Sequence, residues 1–344
     1  MNSAPTMADV ARVAGVSKKT VSNYFNGYRY LRDETRARIA AAVDELNYKV
    51  NISARNLSSG RTGAIGLAVP ELAHPYFSQF AQAVVAAAQR NDVNVLVEVT
   101  GGDRAHELAI LSGGRGRSVD GFVFGPLALG ADDIAAATVD VPIVLIGDRA
   151  DASRFDFVTV DNERGAYDAT RHLVAGGRRR IVGLGAERSD APAAASLRAR
   201  GFFAALRDSE LPVDDDLVVG PIAWTRSAGA AAVHALIEGG AEFDAVFGLN
   251  DALALGALSA LQAHGVRVPE EVAVIGFDDV DEARFASPPL TTIESGLDWV
   301  AARAVDLLLE RIAGAAGGPR AEIAGHALVQ RETTPREPAP SPPV

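Results

Sequence analysis

The sequence predicts an α/β protein, in which a small helix-turn-helix head of three helices precedes a larger body of two doubly wound parallel-sheet lobes. Three observations predict this arrangement. Residues 6–57 hold short amphipathic helical patterns, strand-like apolar runs alternate with helical patterns from residue 64 onward, and this alternation occurs in two successive sets. With 344 residues, the chain is long enough for more than one domain.

The first helical pattern has a defined start and a defined end. Thr6 stands where its hydroxyl can cap a helix, and Asp9, three residues later, completes a capping box. Val10 and Ala14 lie on one helical face, and Gly15 follows where a left-handed residue ends a helix. The first helix is therefore expected to be short and to stop at Gly15.

A second helix is predicted to begin after Ser17, which is a good N-cap residue. Val21 faces the core, so the outer face carries two lysines, a serine and an asparagine: Lys18, Lys19, Ser22 and Asn23. Two helices joined by a short turn that contains glycine form a helix-turn-helix motif. In the major groove lysine bonds guanine and asparagine bonds adenine, so the face suits DNA, although such a face is also common solvated surface.

A third helix and the charge distribution complete the head. The helix is predicted from Asp33 through Leu46, with an apolar stripe that includes Ile39 and Val43. Residues 1–61 carry ten Lys or Arg and five Asp or Glu, a net charge of +5, whereas the whole chain is at −11 and the remainder therefore at −16. A basic head on an acidic body is expected if only the head approaches phosphate.

Five segments of the head form one recognisable pattern: MADVARVAGVSKKTVSN (7–23), Asn26-Gly27, Glu34-Thr35-Arg36, Leu46-Asn47-Tyr48 and Asn51-Ile-Ser-Ala-Arg-Asn-Leu57. The pattern closely resembles the DNA-binding head of the lactose-repressor (LacI/GalR) family. The resemblance implies that the outer face of the second helix reads bases and that residues 51–57 form a hinge helix on the operator. It also implies that Leu57 inserts between base steps in the minor groove and kinks the duplex, the alternative being a plain apolar contact to the body.

The resemblance implies a set of DNA-binding residues and has two departures. The set is Thr6, Ser17, Lys18, Lys19, Thr20, Ser22, Asn23, Asn26, Asn51, Ala54, Arg55 and Leu57. Val50 stands where the family usually has proline, which leaves the hinge entry less constrained. Arg32 stands where the family usually has a serine or threonine cap, and we expect Asp33 to cap the third helix instead.

Composition excludes several classes of protein. The chain has no cysteine, and its six histidines form no ligand-spaced cluster, so we expect no disulfide, no metal site and no cofactor. Apolar residues make up 48% and charged residues 22%, which are ordinary values for a globular protein. The sequence has neither an export signal nor an apolar run of about 18 residues, so we expect a cytoplasmic, nucleoid-associated protein with no membrane partner.

The body alternates strands with helices. The first strand-like runs are 64–69, 93–99, 121–124 and 143–146, with helices centred on 77–90, 104–113 and 131–137. A second set of strands follows at 157–160, 181–184, 246–249 and 272–275, with helices centred on 163–175, 196–208, 227–238 and 251–264. Such alternation implies parallel sheets with helices on both faces, and two sets imply two lobes.

The elements after residue 290 and the domain boundaries follow in part from the resemblance. A strand-like run at 290–294, a long helix at 297–312 and two short strands around Gly325 are expected. The family's periplasmic-binding-protein-like body implies that the helix joins the first lobe and that 327–329 joins the second. We expect a helix-turn-helix domain at 1–50, a hinge and linker at 51–62, an effector-binding domain at 63–335 and a disordered Pro-rich tail at 336–344. Lobe 1 takes about 63–161 and 292–322, and lobe 2 about 162–291 and 323–335.

Ligands of open α/β sheets bind beyond the carboxyl ends of the strands, and aromatic, amide, carboxylate and guanidinium groups follow several predicted strands here. Such groups suit a polyhydroxylated ring, so a sugar is the natural guess. Seven of them are the candidate effector-binding residues: Tyr76, Phe77, Asp148, Arg198, Trp224, Asn250 and Asp278. Tyr76 and Asp148 follow from their position after strands, and the resemblance implies the other five. Simpler roles remain open, since Tyr76 and Phe77 also suit a helix core, Trp224 a half-buried surface, and Asp161 and Asp251 helix caps.

These observations predict a ligand-responsive, sequence-specific DNA-binding regulator, namely a repressor that binds a pseudo-palindromic operator as a homodimer with a sugar or related polyol as effector. A nucleobase or nucleoside effector is an alternative, because aromatic rings and an arginine also suit a planar ring. A sugar-binding protein without DNA function would lack the basic head. No enzyme is expected, since the sequence has no phosphate-binding loop and no nucleophile pair.

Overall fold

The computed structural model describes residues 5–25, 28–48, 61–112, 118–139, 141–148, 154–189 and 193–335. By its internal contacts the chain divides into an N-terminal unit, which ends at Thr62, and a larger unit, which begins at Gly63. The predicted hinge at 51–57 and the predicted tail at 336–344 lie outside the described residues.

The N-terminal unit is built from three helices: α1 (Met7–Ala14), α2 (Lys18–Phe25) and α3 (Asp33–Glu45). The capping box is present, because the Asp9 carboxylate accepts from the Thr6 N–H at 2.9 Å and the Thr6 hydroxyl accepts from the Asp9 N–H at 3.4 Å. Gly15 ends α1 with φ of 63°, the left-handed conformation. Val10, Val21 and Ile39, one from each helix, are fully buried, so the helices share one small core.

The prediction that Asp33 caps α3 is wrong. Arg32 occupies the N-cap position in an extended conformation, and its side chain makes no capping hydrogen bond to the described residues. Asp33 is the first helical residue, followed by Glu34. Carboxylates in the first turn stabilise the positive end of the helix dipole, which compensates for the missing cap.

The larger unit alternates strands and helices as the sequence predicts. Its strands are β1 (Ala64–Val69), β2 (Asn94–Val99), β3 (Phe122–Phe124), β4 (Ile143–Ile146), β5 (Asp156–Val160), β6 (Ile181–Leu184), β7 (Val218–Val219), β8 (Ala245–Gly248), β9 (Ala273–Ile275), β10 (Thr292–Glu294), β11 (Ala321–Ala324) and β12 (Ala327–Val329). Its helices are α4 (Pro75–Gln89), α5 (Arg104–Leu111), α6 (Ala131–Ala136), α7 (Asn162–Ala175), α8 (Ala194–Asp208), α9 (Arg226–Glu238), α10 (Asp251–Ala263), α11 (Asp281–Phe285) and α12 (Leu297–Ile312).

The first lobe is a parallel sheet in the order β11-β5-β4-β3-β1-β2. Successive residues of β1 show that both faces are covered. Leu67 packs in a core with residues of α4 and α12, whereas Ala68 packs in a second core with residues of α5 and α6. Side chains alternate between the faces of a strand, so helices must cover both sides of this sheet.

The strand at 157–160 belongs to the first lobe, in agreement with the predicted lobe boundary near residue 161, although the alternation of strands and helices grouped it with the second set. β5 pairs with β4 on one side and with β11 on the other, both in parallel. The sequence shows only that a strand is followed by a helix, and this local pattern is the same on both sides of a lobe boundary. Which sheet takes the strand is decided by long-range pairing.

The second lobe is a parallel sheet in the order β7-β6-β8-β9. β10 continues it, since Thr291 and Glu294 form parallel bridges with Ile275 and Asp278, and β12 pairs with β10 in antiparallel. Adjacent residues of β8, Val246 and Phe247, pack in cores on opposite faces. Both lobes are therefore doubly wound.

The predicted boundaries between the lobes near residues 292 and 322 need correction. Residues 292–294 lie beside the second sheet, whereas 321–324 pair with β5 in the first. α12, between them, packs in the core of the first lobe, and 327–329 returns to the second. Both short strands have similar composition, so the sequence did not distinguish their partners.

A buried aspartate fastens the crossing segments to the first sheet. The Asp156 side chain is fully buried and accepts hydrogen bonds from Arg311 (2.8 and 2.9 Å) and from Arg320 (3.0 Å, and 2.8 Å from its backbone N–H). Burial alone would raise the pKa of Asp156, but the bonds from Arg311 and Arg320 outweigh it and hold this pKa below its ordinary value. Arg311, at helical spacing with the apolar stripe of α12, therefore serves as an ion-pair partner.

The substitution Asp156→Asn should destabilise the larger unit by about 3 kcal/mol, because two arginines lose the carboxylate that they share. Urea unfolding at pH 7 measures this, with the exposed Asp298→Asn on α12 as control. Because folding lowers the pKa of Asp156, its contribution is present above about pH 4 and is lost as the pH falls toward the folded-state pKa. An equal loss of stability in Asp298→Asn would contradict this assignment. So would a stability difference between Asp156→Asn and the parent that grows as the pH falls.

Candidate functional site

The centre of the site is the buried guanidinium of Arg198 in the second turn of α8, which is only 5% exposed. Its Nε donates to the Asn162 side-chain oxygen at 2.6 Å, one Nη donates to the carbonyl of Leu249 at 2.5 Å, and the other donates to the Asp278 carboxylate at 3.1 Å. These partners follow β5, β8 and β9, so the carboxyl ends of three strands converge on one side chain. A guanidinium has five N–H donors, and three of them make these bonds.

Two aromatic rings face the same guanidinium. The Cζ of Arg198 lies 3.7 Å from the centroid of the Phe277 ring and 5.3 Å from that of Trp224. A cation over an aromatic face is attracted by the ring quadrupole, and more strongly where water is excluded. Trp224 is half-buried, as the simpler role considered for it requires, and it packs against both cores of the second lobe. It also lies beside Arg198, as the effector role requires.

Asn162 links the two lobes at this point. Its amide nitrogen donates to the Asp148 carboxylate at 2.7 Å, while its amide oxygen accepts from Arg198. The same Asp148 oxygen accepts from the Thr159 hydroxyl at 2.9 Å. Asp148 follows β4 in the first lobe and Arg198 belongs to the second, so one asparagine connects a carboxylate and a cation across the lobe boundary.

A second link between the lobes joins Asn250 to His74. The Asn250 amide oxygen accepts from the Leu253 N–H at 2.8 Å and caps α10, and its amide nitrogen lies 2.9 Å from the His74 Nε2. His74 itself caps α4, the helix whose first turn carries Tyr76 and Phe77.

Burial controls the electrostatics of the site. Burial raises the pKa values of Asp148 and Asp278. At Asp148, side-chain hydrogen bonds and the Arg198 charge oppose this rise. At Asp278, the charges of Arg198 and His74 oppose it. Burial also raises the pKa of Tyr76, and the nearby Asp278 carboxylate adds to this shift. These groups therefore share a water-poor region, where charges and hydrogen bonds act strongly.

The structure places the seven predicted effector residues as follows. Asp148, Arg198, Trp224, Asn250 and Asp278 belong to one connected set of contacts. Tyr76 interacts electrostatically with this set, whereas Phe77 packs against the core of the first lobe and the ring of His74.

The two aspartates with possible capping roles differ. Asp161 caps α7 by accepting from the Arg164 N–H at 3.1 Å. The capping role considered for Asp251 is wrong, because Asn250 holds the cap of α10 and Asp251 is the first helical residue. The local sequence Asn-Asp offers two good caps, and the backbone path into the helix selects the first.

Sequence reasoning missed three members of this set: Thr159, Asn162 and Phe277. Asn162 stands directly after the strand end at which Asp161 was noticed, and Phe277 directly precedes Asp278. A search that took every polar or aromatic residue within two positions of a strand end would have included them.

The candidate DNA-reading surface lies on α2. Lys18 and Lys19 are exposed, Ser22 and Asn23 are half-buried, and Val21 between them is fully buried. At the start of the helix, the Ser17 hydroxyl accepts from the Thr20 N–H at 3.1 Å. Of the other predicted DNA-binding residues, Thr6 caps α1, whereas Asn26, Asn51, Ala54, Arg55 and Leu57 lie outside the described residues.

Over the described ranges, no group of three or more His, Cys, Asp or Glu side chains is placed to hold a metal ion. None of the described helices combines the length and the apolar character needed to span a bilayer.

The substitution Arg198→Ala should destabilise the larger unit by roughly 3–5 kcal/mol, because the Asp278 carboxylate would stay buried without its cation. Arg200→Ala, two residues along the same helix, is the matched control, since its ion pair with Glu163 is exposed and worth under about 1 kcal/mol. Urea unfolding followed by circular dichroism compares the two variants. Equal stability of both would contradict the central place given to Arg198.

Two family models match the chain. Residues 62–332 match the model described as periplasmic binding proteins and sugar binding domain of the LacI family. Residues 6–51 match the model described as bacterial regulatory proteins, lacI family.

Characterised relatives and solved structures agree with these matches. The HTH-type transcriptional repressor PurR of Vibrio atlanticus is 32% identical over 309 residues, which cover 89% of this chain and 92% of the relative. The ribose operon repressor of Haemophilus influenzae is 31% identical with the same coverage. A LacI-family regulator from Sanguibacter keddieii superposes with a TM-score of 0.73 at 45% identity, over 80% of this chain and 99% of that one. The lac repressor dimer bound to operator and the anti-inducer ONPF superposes with a TM-score of 0.80 at 28% identity, over 96% and 99%.

A helix-turn-helix unit joined to a two-lobed body with a polar site between its sheets defines the class of ligand-binding transcriptional repressors. The chain belongs to the LacI family of bacterial regulatory proteins. Regulators of this family bind operator DNA and small-molecule effectors.

Proposed function

We propose that the chain represses transcription as a homodimer on a pseudo-palindromic operator, and that a small sugar or related polyol bound between the two lobes controls its affinity for DNA. The observation that carries the effector part is the arrangement around Arg198. One buried guanidinium there meets a carboxylate, an amide and two aromatic rings where the strand ends of both lobes converge.

The DNA part of the proposal rests on α2 and on charge. Lys18 and Lys19 extend into solvent from a helix that Val21 fixes to the core, so their ammonium groups are available to guanine acceptors. The basic head and acidic remainder favour approach of the head alone to phosphate. Residues 51–57 remain proposed as the hinge, with Leu57 as its wedge, on the resemblance alone.

Lys19→Ala should reduce the preference for one or two operator base pairs by roughly 1–3 kcal/mol, because a base-edge contact is lost while phosphate contacts remain. Fluorescence anisotropy on a panel of single-base operator variants measures this. The control is Arg12→Ala, whose effect should be uniform across the panel. Arg12 is an exposed residue of α1, and it pairs with its helix neighbour Asp9. The same profile for both variants would contradict a base-reading role for Lys19.

The homodimer follows from the symmetry of the proposed operator, since two heads are needed for two half-sites. The edge strand β2 also exposes three apolar side chains, Leu96, Val97 and Val99, which suits burial against another chain. The anisotropy titration should therefore saturate at two chains per palindromic duplex. Saturation at one chain would remove this part of the proposal.

Several features support a sugar. Aromatic faces such as Trp224 suit the C–H face of a pyranose or furanose ring, while Arg198 and Asp148 suit its hydroxyls through charge-assisted hydrogen bonds. The matched family model is described as a sugar binding domain, and one relative is named a ribose operon repressor. A nucleobase is the second candidate, because the site holds both a guanidinium and an indole ring, which also suit a planar ring.

The proposed control is a coupling between the effector and operator sites, typically worth 1–3 kcal/mol in such systems. Induction and corepression use the same cleft with opposite signs of that coupling. A ligand that holds the two lobes in one arrangement acts through the contacts that already cross between them, Asp148 with Asn162 and His74 with Asn250.

The effector is tested with a Trp299→Phe protein, which leaves Trp224 as the sole tryptophan. D-ribose, D-glucose, cellobiose, hypoxanthine and guanine are titrated while Trp224 emission is followed, and operator anisotropy is then repeated with each ligand that binds. We expect a saturable emission change with a sugar and a 5- to 150-fold change in operator affinity. A response to the bases alone would replace the sugar by a nucleobase, and no response to any of the five would contradict the effector proposal.

A further inference from the structure

The turn that carries Asp278 has an unusual backbone. Asp278 has φ of 119° and Asp279 has φ of 54°, so two consecutive residues with side chains adopt positive φ. A residue with a side chain is strained at such φ, and this conformation persists only where surrounding contacts hold it in place. The contacts that hold this turn therefore decide where the Asp278 carboxylate lies.

Asp251 contacts the turn on both sides. Its backbone N–H donates to the carbonyl of Phe277 at 2.8 Å, and its carboxylate accepts from the N–H of Val280 at 2.9 Å. These are the residues immediately before and after the Asp278-Asp279 pair, so one residue closes the turn from both ends.

Both oxygens of the Asp251 carboxylate accept a hydrogen bond from the protein. Its second oxygen accepts from the Thr292 hydroxyl at 2.5 Å, and the residue is fully buried. It also lies directly against Gly276, where a Cβ atom would come within 2.1 Å of it. With both oxygens engaged and no exposed surface, Asp251 acts on the neighbouring backbone rather than on a bound molecule.

The two aspartates of the turn point to different partners. The Asp279 carboxylate pairs with Arg331, in the segment after β12, whereas the Asp278 carboxylate accepts from Arg198. A relaxed turn, with negative φ at either residue, would redirect both side chains. The positive-φ conformation is thus what brings Asp278 to the guanidinium.

We infer that Asp251 is a positioning residue of the effector site: it clamps the 277–280 turn in its strained form and thereby sets the Asp278–Arg198 pair. This role rests on the proposed effector function of the cleft. It assigns Asp251 a part in ligand affinity without contact to the ligand.

The test uses the full chain with Trp299→Phe, so that Trp224, which lies against Arg198, is the sole fluorophore. Asp251→Ala removes both side-chain contacts of the clamp. Asp251→Asn keeps them, because its amide oxygen can accept from Val280 and its NH2 can donate to the Thr292 oxygen. Asp278→Ala removes the residue that is positioned, and Asp281→Ala, an exposed aspartate that opens α11 as Asp251 opens α10, is the matched control.

The first readout needs no ligand. Asp251→Ala should shift Trp224 emission and raise its acrylamide quenching to the values of Asp278→Ala, and adding Asp251→Ala to Asp278→Ala should change neither further. Asp251→Asn and Asp281→Ala should match the parent. Additive changes in the double variant, or a parental spectrum for Asp251→Ala beside an altered one for Asp278→Ala, would overturn the inference.

The second readout is titration with D-ribose. If D-ribose binds the parent, Asp251→Ala should lower the affinity for D-ribose at least 10-fold, but no more than Asp278→Ala lowers it. Asp251→Asn should retain most of the parental affinity. The positioning role would be overturned if the two single variants lost affinity for D-ribose to different extents and these losses added in the double variant. If D-ribose does not bind the parent, only the choice of effector is affected, because the ligand-free spectra still decide the role of Asp251.

Discussion

The buried charge of Arg198 is the constraint on which the larger unit depends. A guanidinium removed from water is tolerated only if its N–H groups and its charge are compensated, and the required partners here come from three separate strand ends. Asn162, the Leu249 carbonyl and Asp278 must therefore be held in register with one another. The parallel sheet of the second lobe aligns the carboxyl ends of β8 and β9 along one edge. Asn162 follows β5 of the first sheet and begins α7, which packs in a core of the second lobe.

The same requirement ties the two lobes together. Asn162 is hydrogen-bonded to Arg198 in one lobe and to Asp148 in the other, and His74 meets Asn250 across the same gap. The chain also passes from lobe to lobe around α12, where Asp156 holds Arg311 and Arg320. A rearrangement of the lobes must therefore exchange buried polar contacts together, which favours a small number of discrete arrangements over continuous deformation.

Much of the fold was readable from local patterns, because helices and buried strands report their own periodicity. The first cap, the Gly15 stop and the alternation of the body are of this kind. The errors arose where two local readings were equally good: Arg32 or Asp33 as the cap, Asn250 or Asp251 as the cap, and one sheet or the other for residues 292–294. Asn162 was overlooked because an asparagine at the start of a helix has an ordinary local explanation.

The sequence by itself determined the helix-turn-helix head, its basic charge, the two doubly wound lobes and the residues that follow the strands, since each of these depends on neighbours within a few positions. Only the tertiary structure decided which lobe receives 292–294 and 321–324. It also decided that Asn162 joins Asp148 to Arg198 and that Asp251 holds the turn of Asp278. These facts depend on contacts between residues 14 to 164 positions apart, and no local pattern encodes such partners because many pairings satisfy the same short-range rules.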